Sequence, residues 1–421
     1  MRGLRRIALL FTILAAGGIA AALQLFRSRR GELPPAADPG TRDGEGGTKR
    51  WMFKIATLLA VLAIGGFLVV AAGIIPIKAS SGHWAITAWF LHFTMRRSVA
   101  THTLGLQVPA LDEPGLVLKG AGHYEIGCRP CHGSPDLRHP RIAQHMTPHP
   151  PYLPSQIPAW EPAELFYIVK HGVKFTGMPA WPAQQRDDEV WAMVAFLRTL
   201  PTLDAAAYRR LVDGTHPTTD EAEPLQGLLQ TEQVPRAVTA SCERCHGADG
   251  RGRGSGAFPK LAGQRPDYFY AALQAYARRE RHSGIMEPIA AALSQEEMRE
   301  LARYYGSLPA SAPSLVPQDT TLAVERGKAI AHRGIPSQRV PSCVDCHGPG
   351  ATRRNSAYPT LTGQYADYLV LQLDLFKKAQ RGGSAYAHLM RPVASRLTPE
   401  QMRDVALYYA SLSATSNHPT Q

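Results

Sequence analysis

All six cysteines of this 421-residue chain fall in one repeated pattern: Cys128-x-x-Cys131-His132, Cys242-x-x-Cys245-His246 and Cys343-x-x-Cys346-His347. A zinc site draws about four ligands, usually from two such pairs at short spacing. Here Cys131 and Cys242 are 111 residues apart and Cys245 and Cys343 are 98 apart, each pair has its own histidine, and an odd number of pairs leaves one unmatched. Thioredoxin-like thiol exchange needs neither three copies nor a histidine each time. C-x-x-C-H is instead the attachment pattern for c-type haem. Two thioethers tether the vinyl edge, and the next residue, already beside the ring, ligates iron from one face. The sequence therefore predicts three covalently bound haem c groups, with His132, His246 and His347 on their irons.

Around the second and third motifs the chain repeats itself. GAFPKLAGQRPDYF (256–269) is followed by MEPIAAALSQEEMRELARYYGSL (286–308), and SAYPTLTGQYADYL (356–369) by MRPVASRLTPEQMRDVALYYASL (390–412). Register is kept along each segment, which marks an internal duplication. The first unit is more distant and shares the haem motif and a closing helix, DDEVWAMVAFLRTL (187–200). In the three closing helices Val190, Met193, Val194, Leu197 and Leu200 recur as Met298, Leu301, Ala302, Tyr305 and Leu308, and as Met402, Val405, Ala406, Tyr409 and Leu412. This is the apolar face of an amphipathic helix. Ser294 with Glu297, and Thr398 with Gln401, have the capping-box spacing at its start. Met193, Met298 and Met402 are accordingly expected in the core.

One further methionine precedes each closing helix, in a non-periodic stretch beside a proline. Met286 and Met390 lie 12 residues before the helix methionine and Met178 lies 15 before it, in TGMPAW. A methionine thioether is a common sixth ligand of haem iron in electron-transfer proteins and raises the reduction potential. Met178, Met286 and Met390 are therefore the expected distal ligands. Met146, His145, His149 and His171 compete with Met178.

The formal net charge of +12 divides evenly along the chain. Residues 1–54 hold 10 Lys/Arg against 4 Asp/Glu, and the remainder 36 against 30, a net of +6 in each part. The first excess flanks two apolar runs, at 7–26 and 55–77, where basic residues set membrane orientation. The second is spread without a dense Lys/Arg stripe, so nucleic-acid binding is not expected. The run at 55–77 would reach about 34 Å as a helix at about 1.5 Å per residue, enough to cross a bilayer. Covalent haem is attached outside the cytoplasm, so everything after this run is expected in the periplasm, with the basic 27–54 loop inside. The run at 7–26 conflicts with that topology: to span as well, it would put Arg2, Arg5 and Arg6 outside. Either it is not a simple span, or the true start lies downstream near Met52. One anchor, 55–77, in a bacterial inner membrane is the expectation. HWAITAWFLHFTMRRSVATHT (83–103) reads equally as a membrane-interface segment or as a helix packed on the first unit.

These motifs resemble class I c-type cytochromes over roughly residues 116–415. The second and third units resemble tandem dihaem cytochromes c, down to F/Y-P-x-L-x-G-Q after the haem motif. The first resembles single-domain membrane-linked cytochromes through GHYEIGCRPCHGSP and ELFYIVKHGVKFTGMPAW. The resemblance implies small helical domains wrapped on haem, with first and last helices crossing. It also implies a proline carbonyl accepting the proximal histidine's N–H. Pro259 and Pro359 match that role, and the first unit has no clear counterpart. Trp181 is expected either near the haem or in ordinary core packing.

The expected fold is all-α. An apolar run and basic flexible linker occupy 1–54, a transmembrane helix 55–77 and a juxtamembrane segment 78–115. Cytochrome c domains follow at 116–202, 233–309 and 320–415, joined by Pro-rich linkers at 203–232 and 310–319. With every iron six-coordinate, no position is open for substrate, and the expected role is single-electron transfer in a periplasmic respiratory chain. A quinol-oxidising complex, a dehydrogenase or a terminal oxidase is the expected kind of partner. The alternative is a haem enzyme of peroxidase type, or the cytochrome subunit of a membrane dehydrogenase, with its open position in the first unit.

Overall fold

The computed structural model describes residues 44–75, 77–213, 234–253, 256–310, 312–314, 317–348 and 355–413. The apolar run at 7–26 and most of the 203–232 linker lie outside them. Among the described residues every regular element is helical, and strand-like pairing is limited to isolated bridges at Ser134–Leu137, Arg253–Phe258 and Ile335–Val340. The chain divides into two compact units, Met1–Ser81 and Gly82–Gln421.

In the first unit, helix α1 (Gly44–Ala71) contains Arg50–Ala71, 22 residues of mean hydropathy 2.4 with none of that stretch buried. It is the one described helix long and apolar enough to cross a membrane. The helix is shifted from the expected 55–77. Gly73 turns left-handed at φ 67°, which ends the helix after Ala71.

In the second unit, α2 (Ala85–His102) divides along its length. Ile86, Trp89, Phe90 and Phe93 are exposed on its N-terminal half. On the C-terminal half Arg96 stacks over the Trp160 ring at 4.5 Å and His102 lies against Tyr167 at 5.4 Å. The C-terminal half thus packs on the helical domain that follows, as one of the two readings of this segment expects.

Three successive hydrophobic cores follow. The first combines α3 (Pro114–Gly127), α4 (Pro162–His171), α5 (Asp187–Thr199) and α6 (Ala205–Asp213) around Tyr124, Met193, Phe196 and Tyr208. Each such side chain contributes about 1.5–3 kcal/mol on full burial. Helix α6 lies inside the stretch expected to be a linker. Its Tyr208 and Val212, one helical turn apart, are both fully buried, and this packing overrides the polar composition around it. The second core is built on α7 (Pro266–Ala277), the short α8 (Met286–Ala291) and α9 (Gln295–Ser307). The third uses α10 (Thr321–Arg333), α11 (Ala366–Lys377), α12 (Ala387–Arg396) and α13 (Pro399–Ser411). Met193, Met298 and Met402 are buried in these cores. Both expected capping boxes form, each contributing about 1 kcal/mol. A third, Glu161 with Glu164, starts α4.

The first and last helices cross at glycines. A Cβ on Gly120 of α3 would strike the Ala192 carbonyl of α5, and a Cβ on Gly327 of α10 would strike the Asp404 carbonyl of α13. Because the obstacle is backbone, it cannot swing aside. Gly327→Ala is expected to destabilise the protein by about 1–3 kcal/mol, read as a lower midpoint of denaturant unfolding. An unchanged midpoint would show that the helices do not approach this closely.

Candidate haem sites

Each C-x-x-C-H stretch closes one helical turn, Arg129–His132, Glu243–His246 and Val344–His347, and each turn ends on a glycine. Gly133, Gly247 and Gly348 have φ of 70°, 77° and 78°, where a side chain would be strained. The chain can therefore reverse directly after the histidine. A tyrosine hydroxyl secures each reversal. Tyr305 and Tyr409, on the closing helices, donate to the Gly247 and Gly348 carbonyls at 3.2 and 2.8 Å. The first closing helix has Leu197 at that position, and Tyr124 of α3 donates to the Gly133 carbonyl instead, at 2.6 Å.

The three histidines share one hydrogen bond. His246 Nδ1 lies 3.0 Å from the Pro259 carbonyl and His347 Nδ1 lies 3.0 Å from that of Pro359. His132 Nδ1 lies 2.9 Å from the Pro151 carbonyl, a partner that sequence reading missed. A carbonyl only accepts, so each Nδ1 carries the proton and each Nε2 keeps its lone pair for a metal. Burial holds the His132 and His246 imidazoles below their ordinary pKa, although the proline hydrogen bond works in the opposite direction. Burial also pushes the thiols up, Cys128 and Cys242 to about 12 and Cys245 and Cys343 to about 11.

One cavity of about 1030 Å³ serves the second and third motifs together. Cys242, Cys245, His246 and Met286 line it with Cys343, Cys346, His347 and Met390, so each motif and its candidate distal methionine face the same space. Met178 of the first domain is half-buried, its N–H held by Thr176 Oγ1 at 3.1 Å. The Met146 methyl lies against Gly177, so the two competing thioethers belong to one neighbourhood. Trp181 is a core residue of this domain.

The cavity also offers positive charge. Arg281, which is buried, donates to the hydroxyls of Tyr268 and Tyr368 at 3.3 and 3.1 Å and to Gln372 Oε1 at 3.3 Å. Arg381 donates to Tyr268 at 2.9 Å. Both line the cavity, and no carboxylate pairs with either among the described residues. Burial, then repulsion from Arg281, depresses the Arg381 pKa. Burial would raise the Tyr268 phenol, but the two guanidiniums outweigh it and pull it down. His123 Nδ1, buried and without a hydrogen-bond partner, faces the same cavity. Uncompensated buried charge is costly. A haem brings carboxylates in its propionates, so this donor set fits the group.

Known proteins agree with that chemistry. Residues 115–197 and 230–304 match the family described as cytochrome C oxidase, cbb3-type, subunit III, and residues 324–413 match the cytochrome c family. The thiosulfate dehydrogenase electron acceptor of Thiomonas intermedia is 36% identical over 173 residues, covering 41% of this chain and 78% of that protein. Its counterpart in Stutzerimonas stutzeri is 35% identical over 185 residues, covering 44% and 84%. The cytochrome c4 of Thiocapsa roseopersicina is 33% identical over 174 residues, covering 41% and 87%. The chain belongs to the class I c-type cytochromes, an all-α electron-transfer family with covalent haem c, here in tandem domains.

Proposed function

We propose that this cytochrome is a membrane-anchored trihaem carrier that passes single electrons along a periplasmic respiratory chain. The observation that carries this reading is the shared cavity, which two C-x-x-C-H motifs and their two methionines line together. In the reading, Cys128 and Cys131, Cys242 and Cys245, and Cys343 and Cys346 tether the haems. His132 with Met178, His246 with Met286, and His347 with Met390 hold the irons. Haem iron supplies the one-electron couple. The protein tunes that couple through a thioether that raises the potential, imidazoles oriented by Pro151, Pro259 and Pro359, and burial. With both axial positions held by protein, the chain relays electrons without binding substrate at iron.

Two relatives accept electrons from a thiosulfate dehydrogenase, which supports a dehydrogenase as the donor here. Helix α1 serves as the anchor in a bacterial inner membrane, with the domains of 116–202, 233–309 and 320–415 in the periplasm. Its N-terminal flank carries Lys49, Arg50 and Lys54, as the cytoplasmic end of a span would.

Haem-content analysis with a redox titration of the full-length protein is expected to give three covalent haems. Any other number sinks the central assignment. Met178→Ala is expected to remove part of the weak long-wavelength methionine–iron band from the ferric spectrum. Full retention of the band assigns the first iron another ligand. Arg281→Gln and Arg381→Gln each withdraw a positive charge that favours the reduced iron. Each is expected to lower the midpoints of the second and third haems by on the order of 1 kcal/mol, roughly 40 mV for a one-electron couple. The first haem should stay unchanged in that titration.

A further inference from the structure

The segment in front of Met286 is held from another domain. Glu189 stands on α5 of the first domain, buried at 2% exposure. Its Oε1 accepts the Ser283 hydroxyl at 2.7 Å, and its Oε2 accepts the Gly284 N–H at 2.7 Å. The Trp181 indole N–H donates to the same Oε2 at 3.2 Å. Ser283 Oγ in turn accepts the Met286 N–H at 3.1 Å, so a continuous chain of hydrogen bonds runs from Glu189 to the backbone of Met286.

Two neighbours make the joint tight. Trp181 lies against Gly284 so closely that a Cβ there would strike its indole, and Ile285 packs into the first domain's core. Arg186 lies 3.0 Å from Glu189 and donates to the His282 carbonyl at 2.6 Å. Met390 has a different support. It lies inside helix α12 and belongs to the third domain's own core. Met286 begins its short helix, and the turn before it is fixed by a carboxylate outside its domain.

We infer that Glu189 is a positioning residue for Met286, fixing the distal methionine of the second haem from the first domain. This rests on the reading of Met286 as an iron ligand. Trp181 follows Met178 in the first domain's own candidate ligand loop. The same carboxylate thus fastens the chain near both methionines, and docking of the first domain becomes a condition for the second haem's ligation. A dipole or charge change at Glu189 would reach the iron through Ser283 and Met286.

The test uses the full-length protein and compares Glu189→Ala, Ser283→Ala and Met286→Ala. Arg186 keeps its contacts with Asp188 at 2.7 and 2.8 Å, so removing Glu189 leaves no buried guanidinium unpaired. Glu189→Ala is expected to retain full haem content, to weaken the methionine–iron band, and to lower one midpoint potential. That midpoint should be the one Met286→Ala shifts, and Ser283→Ala should shift it less. A methionine band and midpoints unchanged in Glu189→Ala, with Met286→Ala altering both, overturn the proposal while leaving the ligand reading intact. Easier unfolding of Glu189→Ala alongside that result would not rescue it, since a merely structural contact would do no more. Met286→Ala with an intact band removes the ligand reading and this proposal with it.

Discussion

The hydrogen bond from each motif histidine to a proline carbonyl is the interaction on which the rest of the structure depends. The C-x-x-C tether fixes where the ring enters, but one bond cannot set the ring's angle. With Nδ1 held by Pro151, Pro259 or Pro359, the imidazole has one tautomer and one orientation. The glycine after each histidine lets the chain turn back toward that proline. The tyrosine that grips the glycine carbonyl then ties the turn to a core helix. Motif, reversal and proline form one mechanical loop, repeated three times, and in the first and third domains the helix crossing closes it.

Much of this was readable from the sequence because it is local or repeated. The cysteine spacing, the closing-helix periodicity and the capping boxes each lie within a few residues, and duplication supplied a second copy of the P-x-L-x-G-Q segment. Pro151 escaped because its distance from the histidine differs. It lies 19 residues on, against 13 and 12 in the other units. The signal was nonetheless present in Pro151-Tyr152-Leu153, a P-x-L like those at Pro259 and Pro359. Helix α6 escaped because only two of its residues are buried, and their anchor is Tyr208 bonding Glu125 at 2.6 Å across 83 residues. No local pattern encodes such a contact.

The interface between the second and third domains follows from duplication. Gln264 bonds the N–H and carbonyl of Thr360 at 2.8 and 3.1 Å, and Gln364 does the same to Lys260 at 3.0 and 2.9 Å. Each bridged residue directly follows the proline that orients a histidine. Tyr268 and Tyr368, Arg281 and Arg381, and the rings beneath those arginines, Tyr276 and Phe376, repeat at the same interval of 100 residues. This is an isologous contact, in which one surface meets its own copy. The pairing brings two positive charges together around Tyr268, Arg281 at 3.3 Å and Arg381 at 2.9 Å from its hydroxyl. The propionates of a bound haem would offset this charge.

An isologous contact closes on itself and leaves no equivalent surface free. The first domain must therefore join by other means, and its joint uses different chemistry. Glu125, buried on α3, meets Arg244 of the second haem motif at 3.3 Å while accepting the Tyr208 hydroxyl. Phe258 packs against Gly122 so closely that a Cβ there would come within 2.6 Å of its ring. On the other side, Glu189 and Arg186 hold the turn before Met286. The first domain thus touches the second near both its proximal motif and its distal methionine, and the third meets the second through the paired glutamines. The second domain answers to one neighbour by symmetry and to the other by two buried carboxylates. A substitution in the second domain must satisfy both, which makes it the most constrained of the three.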